Sequence, residues 1–369
     1  MRKLAKAVAL ASAAALVLVG CSAGEEKGTD APDESSSEAL VIDGETIADG
    51  ELYAAAMDEG VLSLYDNYPE APWRALLDVF EEDTGITVDH VRLITPQLYE
   101  RVVSEAGANK LGADAIGMGD PTLMQDLSKR GILAPYESPV GLSALKPGEY
   151  TEDHTMYSSA RLVMLPAYNT EVLAEDGLDA PTSWNDFLEP EWAGKIGGTP
   201  ISTGGSAFSV YYFMDSGLGD DYWTGYAANS PIMYDSVVPL TQDIVRGEVP
   251  LGITSLGTIA EQVAKGAPVK PLFLSEGTPA FTNLVAVTEA GEHPNAARVY
   301  LNWLLSRHGQ NVLVEKTSEY PIRSDADAPA IPGVDMPAPG SGEITVPPLE
   351  VWTESRDSLT EEWNDVFHG

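Results

Sequence analysis

The sequence predicts an α/β protein, and three observations predict it. Candidate strands and amphipathic helices alternate from Val61 to Gly131, the rhythm of a doubly wound sheet. A second α/β set begins near Ala160 and follows the same alternation. Hydrophobic residues make up 44% of the 369 residues, enough to fill cores for two domains of ordinary size.

The elements follow in order. "VLSLYD" (61–66) is a strand. In "APWRALLDVFEEDTG", Trp73, Leu76, Leu77 and Phe80 fall at i, i+3, i+4 and i+7, which gives one apolar helix face closed by Gly85. "ITVDHV" is a second strand. Thr95 and Pro96 supply an N-cap and first-turn pair for a helix through about Ala108. "ADAIGMG" is a third strand, and Asp120-Pro121 opens a helix that ends at Gly131. In the second set, "ARLVMLPAYNT" (160–170) is extended and Ser183 caps a short helix. "DSVVPLTQDIVRGE" is helical, "VPLGITS" a strand and "GTIAEQVAKG" a helix. Extended chain returns in "VKPLFLSEGTPAFTNLVAVTE". The next helix, "HPNAARVYLNWLLSRHGQNVLVE", carries a core stripe of Val299, Trp303 and Leu304. A proline-rich surface connection (327–340) leads to a short final helix.

Residues 1–21 have a basic start (Arg2, Lys3, Lys6) and an apolar run from Ala7 to Gly20, too short for a membrane span and suited to an export signal. The run ends in "LVGC", which resembles a bacterial lipobox, so Cys21 is expected to carry a lipid that tethers the protein to a membrane's outer face. Cys21 is the single cysteine, and no intrachain disulfide can form. Residues 22–50 are acidic and poor in bulky apolar groups, which predicts a flexible linker with folding starting near Glu51. The formal net charge of −36 argues against nucleic acid as a partner.

Catalytic patterns do not emerge. The five histidines are scattered, no HExxH or GxxxxGK[ST] occurs, and "GGSAF" and "GITSLG" both miss the nucleophile-elbow spacing. An enzyme is therefore not expected, and no cofactor is expected. "STGGSAFSVYYF" starts a helix that Ser202 or Thr203 can cap. Its glycines and free N–H groups suit either an anionic ligand or plain close packing. Tyr211 and Tyr212 point about 100° apart on that helix and are expected in the core or at its rim. Asp120 is either a simple N-cap or a carboxylate at the strand ends where open α/β sheets place ligands.

Taken in order, "GVLSLYDNYPEAPWRALLDVFEEDTGITVDHVRL", "GADAIGMGDPTLMQDLSKRGILAPYES", "LPAYNTEVL", "PTSWNDFLEPEWAGKIGG", "GEVPLGITSLGTIAEQVAKGAPV" and "HPNAARVYLNWLLSRHGQNVL…SEYPIR" resemble the extracellular solute-binding proteins of ABC importers, the ferric-iron-binding subgroup and its relatives in particular. The resemblance implies two α/β lobes joined by crossing strands, with ligand enclosed by hinge closure: lobe one from 51–166 plus 282–325, lobe two from 167–281 plus 326–369. It implies a monomeric, lipid-anchored, extracytoplasmic receptor that hands a small polar solute to a permease and ATPase pair. By the same resemblance, ligand contacts come from Tyr65, Asp66, Asn67 and Tyr68 at the first strand's exit and from Asp120 at the third. Thr203, Gly204, Gly205 and Ser206 supply others on the lobe-two helix, as do Thr254 and Ser255 in the later loop.

Two departures bear on iron. Leu256 and Gly257 stand where the ferric binders carry tandem tyrosines, and Met164 stands where some members hold an arginine. Asp120 and Tyr68 would be the metal ligands if iron were bound, and they make a poor donor set for a hard trivalent cation. A lipoprotein that senses or scaffolds without transport is the alternative of another class.

Overall fold

The computed structural model describes residues 38–219 and 221–368. Cys21 and the signal segment lie outside them. Order begins earlier than the composition of the linker predicted. β1 (Leu40–Ile42) and β2 (Glu45–Ala48) form an antiparallel hairpin. Its turn places Asp43 and Gly44 at φ of 50° and 81°, the conformation an Asp-Gly pair adopts in a tight hairpin. The hairpin is held because Ile47 and Ala48 enter the core. Asn302 Nδ2 also donates to the Ile47 carbonyl at 2.8 Å, and Arg323 Nη1 donates to Glu45 at 2.8 Å. Asp49 then caps α1 (Gly50–Glu59) by accepting from the Leu52 N–H.

The first half of the body contains β3 (Val61–Asp66), α2 (Glu70–Thr84), β4 (Thr87–Arg92), α3 (Thr95–Gly107), β5 (Ala115–Met118), α4 (Pro121–Lys129) and α5 (Pro139–Ala144). β3 pairs in parallel with β4 on one side and β5 on the other. Trp73, Leu76, Leu77 and Phe80 are all buried beneath α2, and Gly85 ends that helix with a left-handed φ of 74°. Thr95 is the first residue of α3, and Ile94 precedes it without a side-chain cap, one position off the expected boundary.

The second half contains β6 (Tyr157–Asn169), α6 (Thr170–Asp176), β7 (Ile196–Gly198), α7 (Gly205–Leu218), α8 (Tyr222–Ala228), β8 (Ile232–Met233), α9 (Val237–Arg246), β9 (Leu251–Ser255), α10 (Leu256–Ala264), β10 (Val269–Pro271) and β11 (Thr278–Val287). The chain closes with α11 (Pro294–Leu305), α12 (Arg307–Thr317), β12 (Ile344–Thr345), α13 (Leu349–Glu354) and α14 (Arg356–His368).

β6 and β11 join the halves. The sheet order is β4-β3-β5-β11-β6-β9-β7-β8. β11 pairs with β5 through Leu284–Val287 and with β6 through Ala280–Val285. β6 continues past that contact and pairs with β9 from Met164 to Tyr168. One strand therefore belongs to both halves, which places their separation at the strand crossing: two doubly wound α/β lobes on a shared hinge. Apolar clusters fill each lobe separately, around Trp73, Phe80 and Trp303 in the first and around Trp184, Phe213 and Ile253 in the second.

The C-terminal segment touches both lobes, whereas the resemblance implied packing on the second alone. Trp363 meets Tyr211 of α7 edge-on at 5.7 Å. In the other direction, the Trp352 carbonyl accepts from Thr122 Oγ1 at 3.3 Å and Arg356 Nη1 donates to Asp120 Oδ2 at 2.8 Å.

Candidate functional site

A cavity of about 850 Å³ opens where the lobes meet. The first lobe lines it with Asn67, Tyr68, Trp73 and Arg92, and the second with Ser206, Thr241, Ser255 and Thr258. Leu162, Met164 and Phe281 of the crossing strands form its back, and Glu319 stands at the floor after α12. This is the position ligands occupy in open α/β sheets, outside the carboxyl ends of the strands. A second cavity of about 760 Å³ lies at the opposite pole of the first lobe, beside Ser63 and His293. There the buried carboxylate behind the lining is satisfied: Asp114 accepts from the Ser63 and His293 N–H groups and from the His293 ring.

The interlobe cavity differs in this respect. The Tyr68 hydroxyl, Asn283 Nδ2 and Glu319 Oε2 are buried without a hydrogen-bond partner. Tyr68 leaves β3 and stacks on Trp73, with ring centroids 3.7 Å apart and planes 7° from parallel. Burial pushes its phenol well up, the nearby Ser159 and Asn283 side chains oppose that rise, and the Glu319 carboxyl adds to it. Asn283 is two residues beyond Phe281 on β11, so strand alternation puts it on the same face of the strand as that lining residue. Burial pushes Glu319 up to about 8, opposed by hydrogen bonds from the Val163 and Gly257 N–H groups.

The loop that departs from the ferric pattern explains how Glu319 fits. Leu256 is buried in the second lobe's core, and Gly257 lies directly under the carboxyl. A Cβ at residue 257 would fall 2.7 Å from Glu319 Oε1 and 2.8 Å from the Thr317 carbonyl. Glycine is thus required there by close approach. The chain's own carboxyl occupies the start of α10, where the helix presents unsatisfied N–H groups.

Of the residues expected from the sequence, Asn67, Tyr68, Ser206 and Ser255 line the cavity. Asn67 Nδ2 donates to Thr95 Oγ1 at 2.9 Å, and Ser255 caps α10 through the Thr258 N–H. Tyr65 turns to the other side of β3, into the cluster with Leu98 and Val102, where its hydroxyl accepts from Arg101 Nη2 at 2.9 Å. Asp66 is buried behind Tyr68. Burial raises its carboxyl, and its partner His90, 3.0 Å away, opposes that rise. Thr254 is buried against Thr241. Thr203 ends a 3-10 turn (Ile201–Thr203), and neither it nor Ser202 caps α7. That cap is Gly204, at a φ of 134°. Gly205 is pressed against the first lobe, since a Cβ there would lie 2.7 Å from the Gly119 carbonyl. Asp120 caps α4 through Oδ1, which accepts from Thr122 and Leu123, and Oδ2 is taken by Arg356.

Sequence reading passed over Glu319, Asn283, His90 and Arg92. Their chemistry depends on partners far away in the chain, and no local spacing marks them. Around the cavity, Arg92, Lys265 and Lys316 face Glu261 and Glu319, with Lys265 paired to Glu261 and Lys316 to Glu315. Among the described residues, no three His, Cys, Asp or Glu side chains gather as a metal-holding group.

A cleft between two α/β lobes, hinged on shared strands and lined by free polar groups, defines a ligand receptor. Residues 66–311 match the family described as bacterial extracellular solute-binding protein, and the chain belongs to that family. The family's fold is that of substrate-binding proteins of importers rather than of enzymes, and it acts outside the cytoplasm. An uncharacterised Haemophilus influenzae protein is 22% identical over 319 residues, covering 84% of this chain and 91% of its own. The periplasmic binding protein AfuA from Actinobacillus pleuropneumoniae, with exogenous fructose-6-phosphate bound, shares the fold at a TM-score of 0.68 and 19% identity, covering 84% of this chain and 99% of its own. Iron-bound HitA from Pseudomonas aeruginosa shares it at 0.66 and 23%, covering 82% and 99%. No helix among the described residues is long and apolar enough to cross a membrane.

Proposed function

We propose that this protein is the receptor subunit of an ABC importer for a small organic anion bearing a phosphate, phosphonate or carboxylate. The observation that carries this reading is the inventory of the cleft. On a chain of net charge −36, the cavity gathers Arg92, Lys265 and Lys316 against only Glu261 and Glu319, with the Tyr68 hydroxyl unpartnered beside them. A cavity less acidic than the surface around it, with cations and a phenol donor at hand, favours an oxyanion. AfuA, which shares this fold, holds fructose-6-phosphate, and that supports a phosphorylated solute within this class. Ferric ion is disfavoured, because Tyr68 is the one phenol lining the cavity and Asp120 is committed to Arg356.

In this reading the ligand enters the open cleft and the lobes rotate about β6 and β11 to enclose it. A lipid on Cys21 holds the monomeric receptor at the outer face of the membrane, within reach of a permease and its ATPase. Tyr68, Asn67, Ser206 and Ser255 contact the solute.

The test is thermal unfolding with fructose 6-phosphate, inorganic phosphate and ferric citrate. An anion that binds should add about 2.7 kcal/mol of stability at a hundred times its dissociation constant. Stabilisation by ferric ion alone, with none from any anion, would overturn the reading. Tethering is tested apart from it, by whether Cys21→Ala releases the protein from the cell surface.

A further inference from the structure

Glu319 is the group in this cleft whose state decides what can be bound. Its side chain is 7% exposed, Oε1 lies over Gly257, and Oε2 has no partner. The surrounding charges are otherwise engaged. Asp66 faces His90 at the exits of β3 and β4. Arg92 donates to the Tyr68 carbonyl, and Arg161 of β6 is paired with Glu149. On α10 Lys265 is paired with Glu261, and at the end of α12 Lys316 is paired with Glu315. None of these cations forms an ion pair with Glu319.

We propose that Glu319 is a specificity-determining residue that binds the ligand's oxyanion as a neutral carboxylic acid, donating from Oε2 into the cavity that Tyr68 also lines. Three observations converge on donation. Oε1 takes the side facing Gly257, so the proton of a neutral acid sits on the free Oε2. No cation pairs with the buried carboxyl, so nothing at the site offsets the cost of burying its charge. The burial that raises the carboxyl to about 8 keeps it neutral at physiological pH. An ionised Glu319 would instead repel an oxyanion and accept from a ligand ammonium. The two states read opposite ligand chemistries in one cavity.

This inference rests on the oxyanion reading of the cleft, and the experiment separates the two. Sulfate is the probe, because it is fully ionised across the range and its own titration does not intrude. Its affinity for the full chain is measured by calorimetry between about pH 6 and pH 10. The expected result is a plateau followed by a loss of about tenfold per pH unit above the Glu319 transition. Glu319→Gln should bind with no such slope, since its amide donates at every pH. Infrared difference spectra should show a protonated-carboxyl band in the wild type at neutral pH that Glu319→Gln lacks. Thermal unfolding establishes that the variant is folded.

Sulfate affinity that ignores pH, or a slope that persists in Glu319→Gln, overturns the role of Glu319 while the anion receptor stands. Affinity that rises above pH 8, or an absent carboxyl band, shows a carboxylate and overturns the neutral acid. If neither sulfate nor fructose 6-phosphate binds wild type or variant at any pH, the oxyanion reading itself fails and the inference falls with it.

Discussion

Asp120 and Glu319 are buried to nearly the same depth, 6% and 7% exposed, yet they are opposites. Asp120 ends the strand where the fold family would lead one to look for a ligand. There its oxygens accept from two backbone N–H groups and from Arg356. Glu319 follows a helix in an unremarked loop, and one of its oxygens has nothing to bind. The Asp120 side of the interlobe region is filled by the protein's own C-terminal segment, with Trp352 against Phe208 at 4.6 Å between ring centroids. The Glu319 side is left open. Position at a strand end marks where a ligand can sit, and an unmet buried hydrogen-bonding group is the feature that calls for one. Burying such a group costs stability in the empty protein, and a ligand that satisfies it recovers that cost as affinity.

The largest effect that can break this contrast is on the filled side. Trp352→Ala removes a side chain 2% exposed and leaves a cavity between Phe208 and α4. It should cost about 3–5 kcal/mol of stability by urea denaturation. A loss below about 1 kcal/mol would mean the C-terminal segment rests on the lobes without holding them. On the open side, Glu319→Gln should stabilise the empty protein as pH rises. The wild-type carboxyl, ordinarily near 4.5, is raised to about 8 in the folded chain. The folded state therefore holds a proton that the unfolded state gives up, and stability falls across that window. The amide has no such proton. The variant should gain on the order of a few kcal/mol relative to wild type at pH 9 and nothing from this source near pH 4. A pH-independent difference would show that Glu319 is ionised throughout.

Much of the fold was legible because its signals are local. The spacing of Trp73, Leu76, Leu77 and Phe80, the stop at Gly85 and the Asp120-Pro121 start each concern neighbours within one helix. The hairpin at 40–48 escaped because an acidic, small-residue setting masked an Asp-Gly turn whose buried side holds only Ile47 and Ala48. The site was less legible. Tyr68 could be placed from the strand it leaves, but Glu319 acquires its meaning from Gly257 and Val163, brought to it by tertiary folding. Asp120 drew notice for the right location, and Arg356, 236 positions away, decided its role. Long-range satisfaction of polar groups has no period for a sequence to display.

Smaller effects sharpen the contrast between satisfied and unsatisfied phenols. Tyr68→Phe should lower fructose 6-phosphate affinity about tenfold by calorimetry, the loss of one donor to a charged oxygen. The empty variant should be no less stable than wild type, because the hydroxyl it lacks had no partner. Reduced stability with unchanged affinity would return Tyr68 to a packing role against Trp73.

Tyr211→Phe should change affinity least of all. Tyr211 is buried in the second lobe's aromatic cluster, between Trp223 and Trp363, and it does not line the interlobe cavity. Its hydroxyl touches Met233 Sδ weakly, at 3.9 Å, and accepts from the Trp363 indole N–H. The ring, which provides the packing, is retained in the variant. Stability should therefore fall only by the hydrogen bond lost, about 1–2 kcal/mol, and affinity should change by less than about threefold. A tenfold loss of affinity would place the Tyr211 phenol in contact with ligand after closure. It would also mean that the lobes repack more deeply than a rotation about β6 and β11 requires.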